Sequence, residues 1–443
     1  MRVVIDAERL QRRLAELAAI GAIEGTEGCA RLALTDADRD GRDLVTTWMR
    51  DLGLHVAVDA IGNVYGVLGA ETVAGAVLTG SHIDTVATGG RYDGNLGVLA
   101  GLEVIESVLD AGIEPARPLA VAFFTNEEGA RFAPDMLGSL VYAGGLQLEE
   151  ALDAVAIDGA VLGDELDRIG YRGTSPVPGP VPHAFVEYHI EQGPVLEREG
   201  VGIGAVTGVQ GISWTQYTFT GQSNHAGTTP MSYRRDPGLV AMRVGAFVRD
   251  LVDEIGPPQV GTVGRIELHP NLVNVVAARA TITVDVRNTD DTVLAGVEAK
   301  IAEFVRVAAA DEDVEVASET LARFEPVEFD PFVVDLVEEI AGAAGHTTMR
   351  LPAGAGHDAQ MMARICPAGM IFVPSVNGIS HNPAEHTEPD DIAAGADVLA
   401  RTMLRLAAMP ADSSSAALSP RAACASSLAL PSALDFDTAG GTG

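Results

Sequence analysis

The stretch Val121-Ala-Phe-Phe-Thr-Asn-Glu-Glu-Gly129 runs apolar residues straight into two adjacent glutamates. A short unbroken apolar run suits a strand buried on both faces of a sheet. Two neighbouring carboxylates at the end of such a strand repel unless a cation or a proton gives them different roles. A metal ligand beside a general base resolves the conflict; a solvated acidic turn is the plain alternative. The same arrangement recurs along the chain. Apolar runs end at Ser81, before His82 and Asp84; at Ile190, with His189, Glu191 and Gln192; and at Pro374, ahead of His381 and His386. Between the first two lies Gly89-Gly-Arg-Tyr-Asp-Gly-Asn-Leu-Gly97, which sets Asp93 among glycines. Each taken singly reads as a polar loop. Together they put imidazoles and carboxylates beyond the carboxyl ends of strands, where open α/β sheets collect their ligands. A nitrogen/oxygen set of this size suits zinc, manganese or cobalt, and a bridging carboxylate would hold two ions.

Outward from these runs, periodicity predicts strands over Asn63–Leu68, Gly75–Ser81, Leu119–Thr125, Ala184–Ile190 and Met370–Pro374, and helices over 6–19, 38–52, 96–110, 137–144, 148–155 and 358–364. Alternation of this kind predicts an α/β protein: a mixed sheet with helices on both faces. Residues 212–324 follow another order, strand Ser213–Thr220, helix Pro237–Ile255, strands Thr262–His269 and Arg279–Arg287, helix 291–309, strand Asp313–Thr320. That is the split βαβ, ferredoxin-like pattern. The expected organisation is therefore a discontinuous domain, 1–211 and 325–410, interrupted by an α+β insertion at 212–324. The Ala-, Ser-, Pro- and Gly-rich tail, 411–443, is expected to be disordered.

Composition narrows the class. With 29 Lys+Arg against 62 Asp+Glu, the formal charge of −33 argues against nucleic acid and anionic membranes as partners. The three cysteines, Cys29, Cys366 and Cys424, are widely spaced and form no CxxC pair, so neither a disulfide framework nor a cysteine zinc site follows. The charged, amphipathic N-terminus is no signal peptide and no apolar run is long enough to span a bilayer, so the expected location is the cytoplasm.

The motifs Gly-Ser-His-Ile-Asp-Thr (80–85), Gly-Gly-Arg-Tyr-Asp-Gly (89–94), Asn-Glu-Glu-Gly-Ala-Arg-Phe (126–132), His-Ile-Glu-Gln-Gly-Pro (189–194), Asn-His-Ala-Gly-Thr-Thr-Pro-Met (224–231), Gly-Ala-Gly-His-Asp-Ala (354–359) and Ser-His-Asn-Pro-Ala-Glu (380–385) together resemble the hydantoinase/carbamoylase family. This is a branch of the aminoacylase-like dinuclear zinc peptidase clan that includes N-carbamoyl-L-amino acid hydrolases, allantoate amidohydrolases and β-ureidopropionases. The resemblance runs in order over residues 6 to 408 and implies that the insertion is a lid and dimerisation domain. It further implies that His82 and His189 bind one metal, Glu128 and His381 the other, and that Asp93 bridges them. Glu127 would be the general base and Asp84 would steer His82. His225 would reach the partner subunit's site and stabilise the tetrahedral intermediate. Gln192, Asn274, Arg287 and the backbone at Gly356 would hold the substrate, with Arg287 gripping its carboxylate. One departure is that Asn274 is followed by Val-Val-Ala-Ala, where the family usually has Pro-Gly after two aliphatic residues.

The expected activity is hydrolysis of the carbamoyl C–N bond of an N-carbamoyl-L-amino acid or similar ureido acid, by a homodimer with two divalent ions per subunit, zinc foremost and manganese or cobalt acceptable. Allantoate hydrolysis is the rival within the family. A metal-binding protein without catalysis and a true peptidase are the rivals outside it. His357, Asp358 and His386 receive no role.

Overall fold

The computed structural model describes residues 3–409, which divide into two compact units, 3–209 with 328–409 and 210–327. The tail from 411 and Cys424 lie outside the described residues; Cys29 and Cys366 are buried free thiols. Among the described residues no helix is long and apolar enough to cross a membrane.

The first unit is a mixed α/β structure around a nine-stranded sheet. Its centre is four parallel strands in the order Leu119–Phe124, Val77–His82, Ala184–Ile190, Ala368–Val373. All four are buried along their whole length; Leu119–Phe124 and Ala368–Val373 are unbroken apolar sequences, while Val77–His82 and Ala184–Ile190 carry polar residues inside the sheet. Parallel pairing has one consequence that decides the site: the carboxyl ends of all four strands open on the same edge. Antiparallel strands flank this centre, Val64–Leu68 beside Leu119–Phe124 and Ile203–Val209 beside Ala368–Val373. The helix Asn95–Asp110 packs on the central strands and is buried almost all round.

That burial takes in a carboxylate. Glu103 is fully buried in the middle of the helix and is gripped by Arg9 from the N-terminal helix Ala7–Ala18, Nε to Oε2 at 2.6 Å and Nη2 to Oε1 at 2.8 Å. Breaking a buried pair from one side strands the other charge. Arg9→Ala is therefore expected to destabilise the protein by about 3 kcal/mol, read as a lower unfolding temperature. Adding Glu103→Gln to that variant should recover most of the loss. An unfolding temperature unchanged by Arg9→Ala would show that the pair holds nothing.

Part of the chain's acidity has a local use. Asp6, Asp236, Asp290 and Asp330 each cap a helix, accepting first-turn N–H groups through their side chains. Two of the helices so marked or begun by proline, Pro331–Ala344 and Pro389–Ala407, are absent from the periodicity reading, as are the strands His55–Val58, Ile203–Val209 and Thr348–Ala353. The predicted helices 148–155 and 358–364 are shorter than their apolar spacing suggests, ending at Leu152 and Met362.

The second unit holds an antiparallel sheet in the order Glu315–Phe324, Gly211–Thr220, Arg279–Asn288, Val260–His269, with helices Pro237–Ile255 and Asp291–Asp311. In sequence numbering this is strand order 4-1-3-2. Its own core includes Phe219, Val240, Val244, Ile282, Val284, Leu294 and Ile301. Strict alternation along Arg279–Asn288 buries Ala280, Ile282, Val284 and Val286 against the helices and leaves Thr283, Asp285 and Arg287 on the other face.

Candidate metal centre

The residues beyond the four parallel strands converge. His82 ends its strand and is 1% exposed; His189 lies one residue before the end of its own and is fully buried. Between them sits Asp93, just ahead of the helix Asn95–Asp110. Its Oδ1 is 3.1 Å from His189 Nε2 and 3.6 Å from His82 Nε2. Its Oδ2 points the other way, 3.3 Å from His381 Nε2, which is itself 3.2 Å from Glu128 Oε2. One carboxylate thus serves two groups of donors, His82/Asp93/His189 and Asp93/Glu128/His381.

The chemistry of these donors fits divalent ions. His82 Nδ1 lies 2.9 Å from the Asp84 carbonyl and His189 Nδ1 lies 2.8 Å from that of Ile190. A carbonyl can only accept, so each Nδ1 carries a proton and each Nε2 is the nitrogen left for a metal. Asp93, Glu127 and Glu128 have imidazoles as ion-pair partners in place of lysine or arginine. The excess of negative charge raises the imidazoles, His381 to about 10 through its hydrogen bonds to Asp93 and Glu128, and the three imidazoles in turn hold Asp93 well below the usual carboxylate range despite its burial. A cluster so hungry for positive charge is what metal ions satisfy.

Glu127 stands apart from the other acids. It is 7% exposed, its Oε2 is 3.3 Å from His82 Nε2, and burial pushes its carboxyl well above the ordinary range. The turn that presents both glutamates begins at Asn126, which adopts a left-handed φ of 55° and is anchored by its amide to the Phe132 and Pro134 carbonyls. Gln192 and His381 are left-handed too, at φ 59° and 52°. Non-glycine residues held so cost of order 1 kcal/mol or more and cluster at functional sites. Gly94, at φ 66°, is the opposite case: a Cβ there would lie 2.4 Å from the His82 ring.

Asp84 meets His82 at the ring's other nitrogen, and the atom facing the ring is its main-chain carbonyl. The carboxylate instead receives the backbone N–H groups of Glu127, at 3.3 Å, and Glu128, at 3.4 Å. The reason is local: the turn at Asn126 leaves those two N–H groups without ladder partners at a buried strand end, and a buried donor needs an acceptor. Asp84 orients the two glutamates.

Gln192 donates from Nε2 to Asp93 Oδ2 at 2.8 Å, while its Oε1 is buried with no partner among the described residues. Gly356 lines the same cleft of about 90 Å³ together with Asp135, Ala355 and His357. Thus His82, Asp84, Asp93, Glu127, Glu128, His189, Gln192, Gly356 and His381 all gather in the first unit. His225, Asn274 and Arg287 belong to the second. His225 pairs with Val275 in a two-residue ribbon, Asn224–His225 against Val275–Val276, and the Asn274 carbonyl accepts from Ala226 N at 2.9 Å, so His225 and Asn274 are neighbours. Arg287 is at the other end of the strand Arg279–Asn288, ion-paired with Asp285 at 2.8 Å and over the Trp214 ring.

Three residues escaped the sequence reading. His357 is buried, its ring 4.6 Å from that of His189, with an Nε2 that has no hydrogen-bond partner among the described residues. Burial holds it well below the ordinary imidazole range, so it is neutral. Ser380 Oγ lies 3.2 Å from Asp93 Oδ2, and 3.0 Å from Glu385, whose carboxylate accepts the N–H groups of Tyr92 and Asp93. Burial beside Asp93 pushes Glu385 up to about 7. The only sequence signal was position, inside motifs already quoted. His386 is half-buried, its ring 6.1 Å from Tyr92, and does not line the cleft.

Comparison with known proteins agrees with this geometry. Residues 78–405 match the family described as peptidase family M20/M25/M40. The chain is 42% identical over 405 residues to an N-carbamoyl-L-amino-acid amidohydrolase of Rhizobium meliloti, covering 91% of this chain and 97% of the relative. It is 34% identical over 420 residues to a ureidoglycolate hydrolase of Arabidopsis thaliana, covering 91% and 87%. Among solved structures, a hydantoinase/carbamoylase family amidase from Burkholderia multivorans superposes with a TM-score of 0.89 at 47% identity, covering 92% of this chain and 99% of that one.

Proposed function

The chain belongs to peptidase family M20/M25/M40 and is a metal-dependent hydrolase of C–N bonds, and on that premise we propose that it cleaves the carbamoyl C–N bond of N-carbamoyl-L-amino acids or a closely similar ureido acid. The observation that carries the reading is Asp93, whose two oxygens face two separate donor groups with Glu127 against one of them. His82 and His189 would hold one ion, Glu128 and His381 a second, and Asp93 both. Zinc suits the donors best, and manganese or cobalt would also be accepted. When bound, such ions polarise a carbonyl and make water acidic.

Glu127 is placed to take the proton of the attacking water, since its carboxylate is buried at the cleft and its ion-pair partner is an imidazole, not a lysine or arginine. The water oxygen then bonds to the carbamoyl carbon, and Glu127 returns the proton to the leaving nitrogen as the C–N bond breaks. With the amino-acid nitrogen as leaving group the products are the free amino acid and carbamic acid, whose remaining C–N bond then breaks to give ammonia and carbon dioxide. Gln192 Oε1, buried and unpartnered, offers an acceptor for a substrate N–H, and the Gly356 backbone lines the same wall.

A cleft of about 90 Å³ accommodates the reacting end of such a substrate, not the whole of it. The second unit would supply the rest, as a lid: Arg287 for the carboxylate, His225 for the oxyanion and Asn274 beside it. These cannot all act from one chain. Arg287 is eight residues along the strand from Arg279, roughly 26 Å at 3.3 Å per residue, and the His225 ribbon lies beyond the Arg279 end. A carbamoyl amino acid is about two residues long, roughly 7 Å. A homodimer in which each chain lends His225 and Asn274 to its partner removes the conflict.

That arrangement has a direct test. Mixing and reassociating equal amounts of His225→Ala and Glu127→Gln chains should restore about a quarter of wild-type activity, because half the dimers are mixed and each carries one complete site. Each variant alone should stay impaired. Activity in the mixture no higher than the average of the two would put His225 in its own chain's site.

Substrate class is tested by a panel of N-carbamoyl amino acids, ureidopropionate, allantoate, ureidoglycolate and dipeptides, each with zinc, manganese or cobalt. Highest kcat/KM on the N-carbamoyl amino acids is expected. Ureidoglycolate is the second reading, favoured by the plant relative, though at 34% identity against 42% for the bacterial carbamoyl hydrolase. Preference for dipeptides would overturn both.

A further inference from the structure

Two loops meet at Asp93, and one side chain joins them. The loop 89–94 carries Asp93; the loop 380–386 carries His381. Glu385, 4% exposed, reaches from the second to the first: its Oε1 accepts the backbone N–H groups of Tyr92 and Asp93, both at 3.1 Å. Its Oε2 lies 3.0 Å from Ser380 Oγ, and that hydroxyl lies 3.2 Å from Asp93 Oδ2. Room for the carboxylate exists only because residue 90 is glycine. A Cβ on Gly90 would come 2.1 Å from Glu385 Oε1. A further link, Thr88 Oγ1 to the His381 carbonyl, is exposed and 3.4 Å long.

We propose that Glu385 is a positioning residue that sets the affinity of one metal position, the one facing Asp93 Oδ2, Glu128 and His381, and leaves the other largely untouched. The asymmetry follows from what carries each donor. His82 and His189 lie within buried parallel strands whose hydrogen-bond ladders fix them without help from Glu385. His381 and the Oδ2 side of Asp93 are on loops, with His381 at a left-handed φ and half-exposed, and the spacing between them depends on the Glu385–Ser380 contacts. Partners that orient metal ligands typically change affinity 10–100-fold when removed. Asp93 remains in place for the first position through its contact with His189, whose Nε2 also accepts the N–H of Gly94.

The inference rests on the two-ion reading above, and one titration separates the failure of either. Metal-free full-length protein is titrated with Co²⁺, followed by its visible absorption and by calorimetry. Wild type should bind in two steps; binding of one ion or none would sink the two-ion reading itself. In Glu385→Ala the weaker-bound ion should lose roughly 10–100-fold in affinity while the tighter step is unchanged. Its kcat should recover in excess metal at an unaltered KM. Glu385→Gln, whose amide oxygen can still accept both N–H groups, should bind like wild type. Gly90→Ala should reproduce the Glu385→Ala defect by expelling the carboxylate, and should add little in a Glu385→Ala background. If Glu385→Ala does not fold, Gly90→Ala decides by the same measure. Two wild-type steps in Glu385→Ala, or an equal loss at both, would overturn the proposal.

Discussion

Glu127→Gln is expected to lower kcat by roughly 10²–10⁴-fold, the usual worth of a positioned general base, with KM and metal content unchanged. The amide has the shape of the carboxylate and cannot take a proton. The backbone should not move, since the Asp84 carboxylate holds the N–H groups of residues 127 and 128 whatever their side chains. This separates the two adjacent glutamates experimentally. Glu128 lies 3.2 Å from His381 across one of the donor groups, so Glu128→Gln should lose metal as well as rate. Steady-state kinetics with metal analysis on both variants gives the answer. A fully active, metal-loaded Glu127→Gln enzyme would remove Glu127 from the mechanism.

Asp93→Ala should be more damaging still. Because its two oxygens face different donor groups, its loss leaves each with two protein donors where three stood. Neither is then a competent site for a divalent ion. Metal analysis should find close to no bound ion. Activity should fall by roughly 10⁴-fold or more, since each ion supplies several kcal/mol of transition-state stabilisation. His381→Ala is the control: the donors around His82 and His189 remain, so one ion should be retained. Equal metal content in Asp93→Ala and His381→Ala would refute the bridging role.

Much of this was legible before any coordinates. The central strands announce themselves as largely apolar runs because both faces of a parallel sheet are covered, and it is parallel pairing that brings their ends, with His82, Glu127, Glu128 and His189, to one edge. What the sequence hides is contact made across long separations. Glu385 meets Tyr92 and Asp93 some 290 positions away, and no periodicity records that. Asp84 is a case of another kind: its place beside His82 was plain, but which of its oxygens faces the ring depends on a turn made elsewhere, at Asn126. The unnoticed helices Pro331–Ala344 and Pro389–Ala407 did leave a signal, a proline at the first helical position behind an acidic residue, which apolar periodicity alone overlooks.

The left-handed residues bear on how such a site could be remodelled. Asn126, Gln192 and His381 each combine an awkward backbone conformation with a side chain that is itself engaged. Glycine would relax the backbone and abolish the contact, while most other residues would lose the contact and keep the strain. In a randomised library these three positions should therefore be the most conservative of the cleft. New substrate preferences would be found first along the wall formed by Asp135, Ala355 and Gly356, where the chain is free of that double demand.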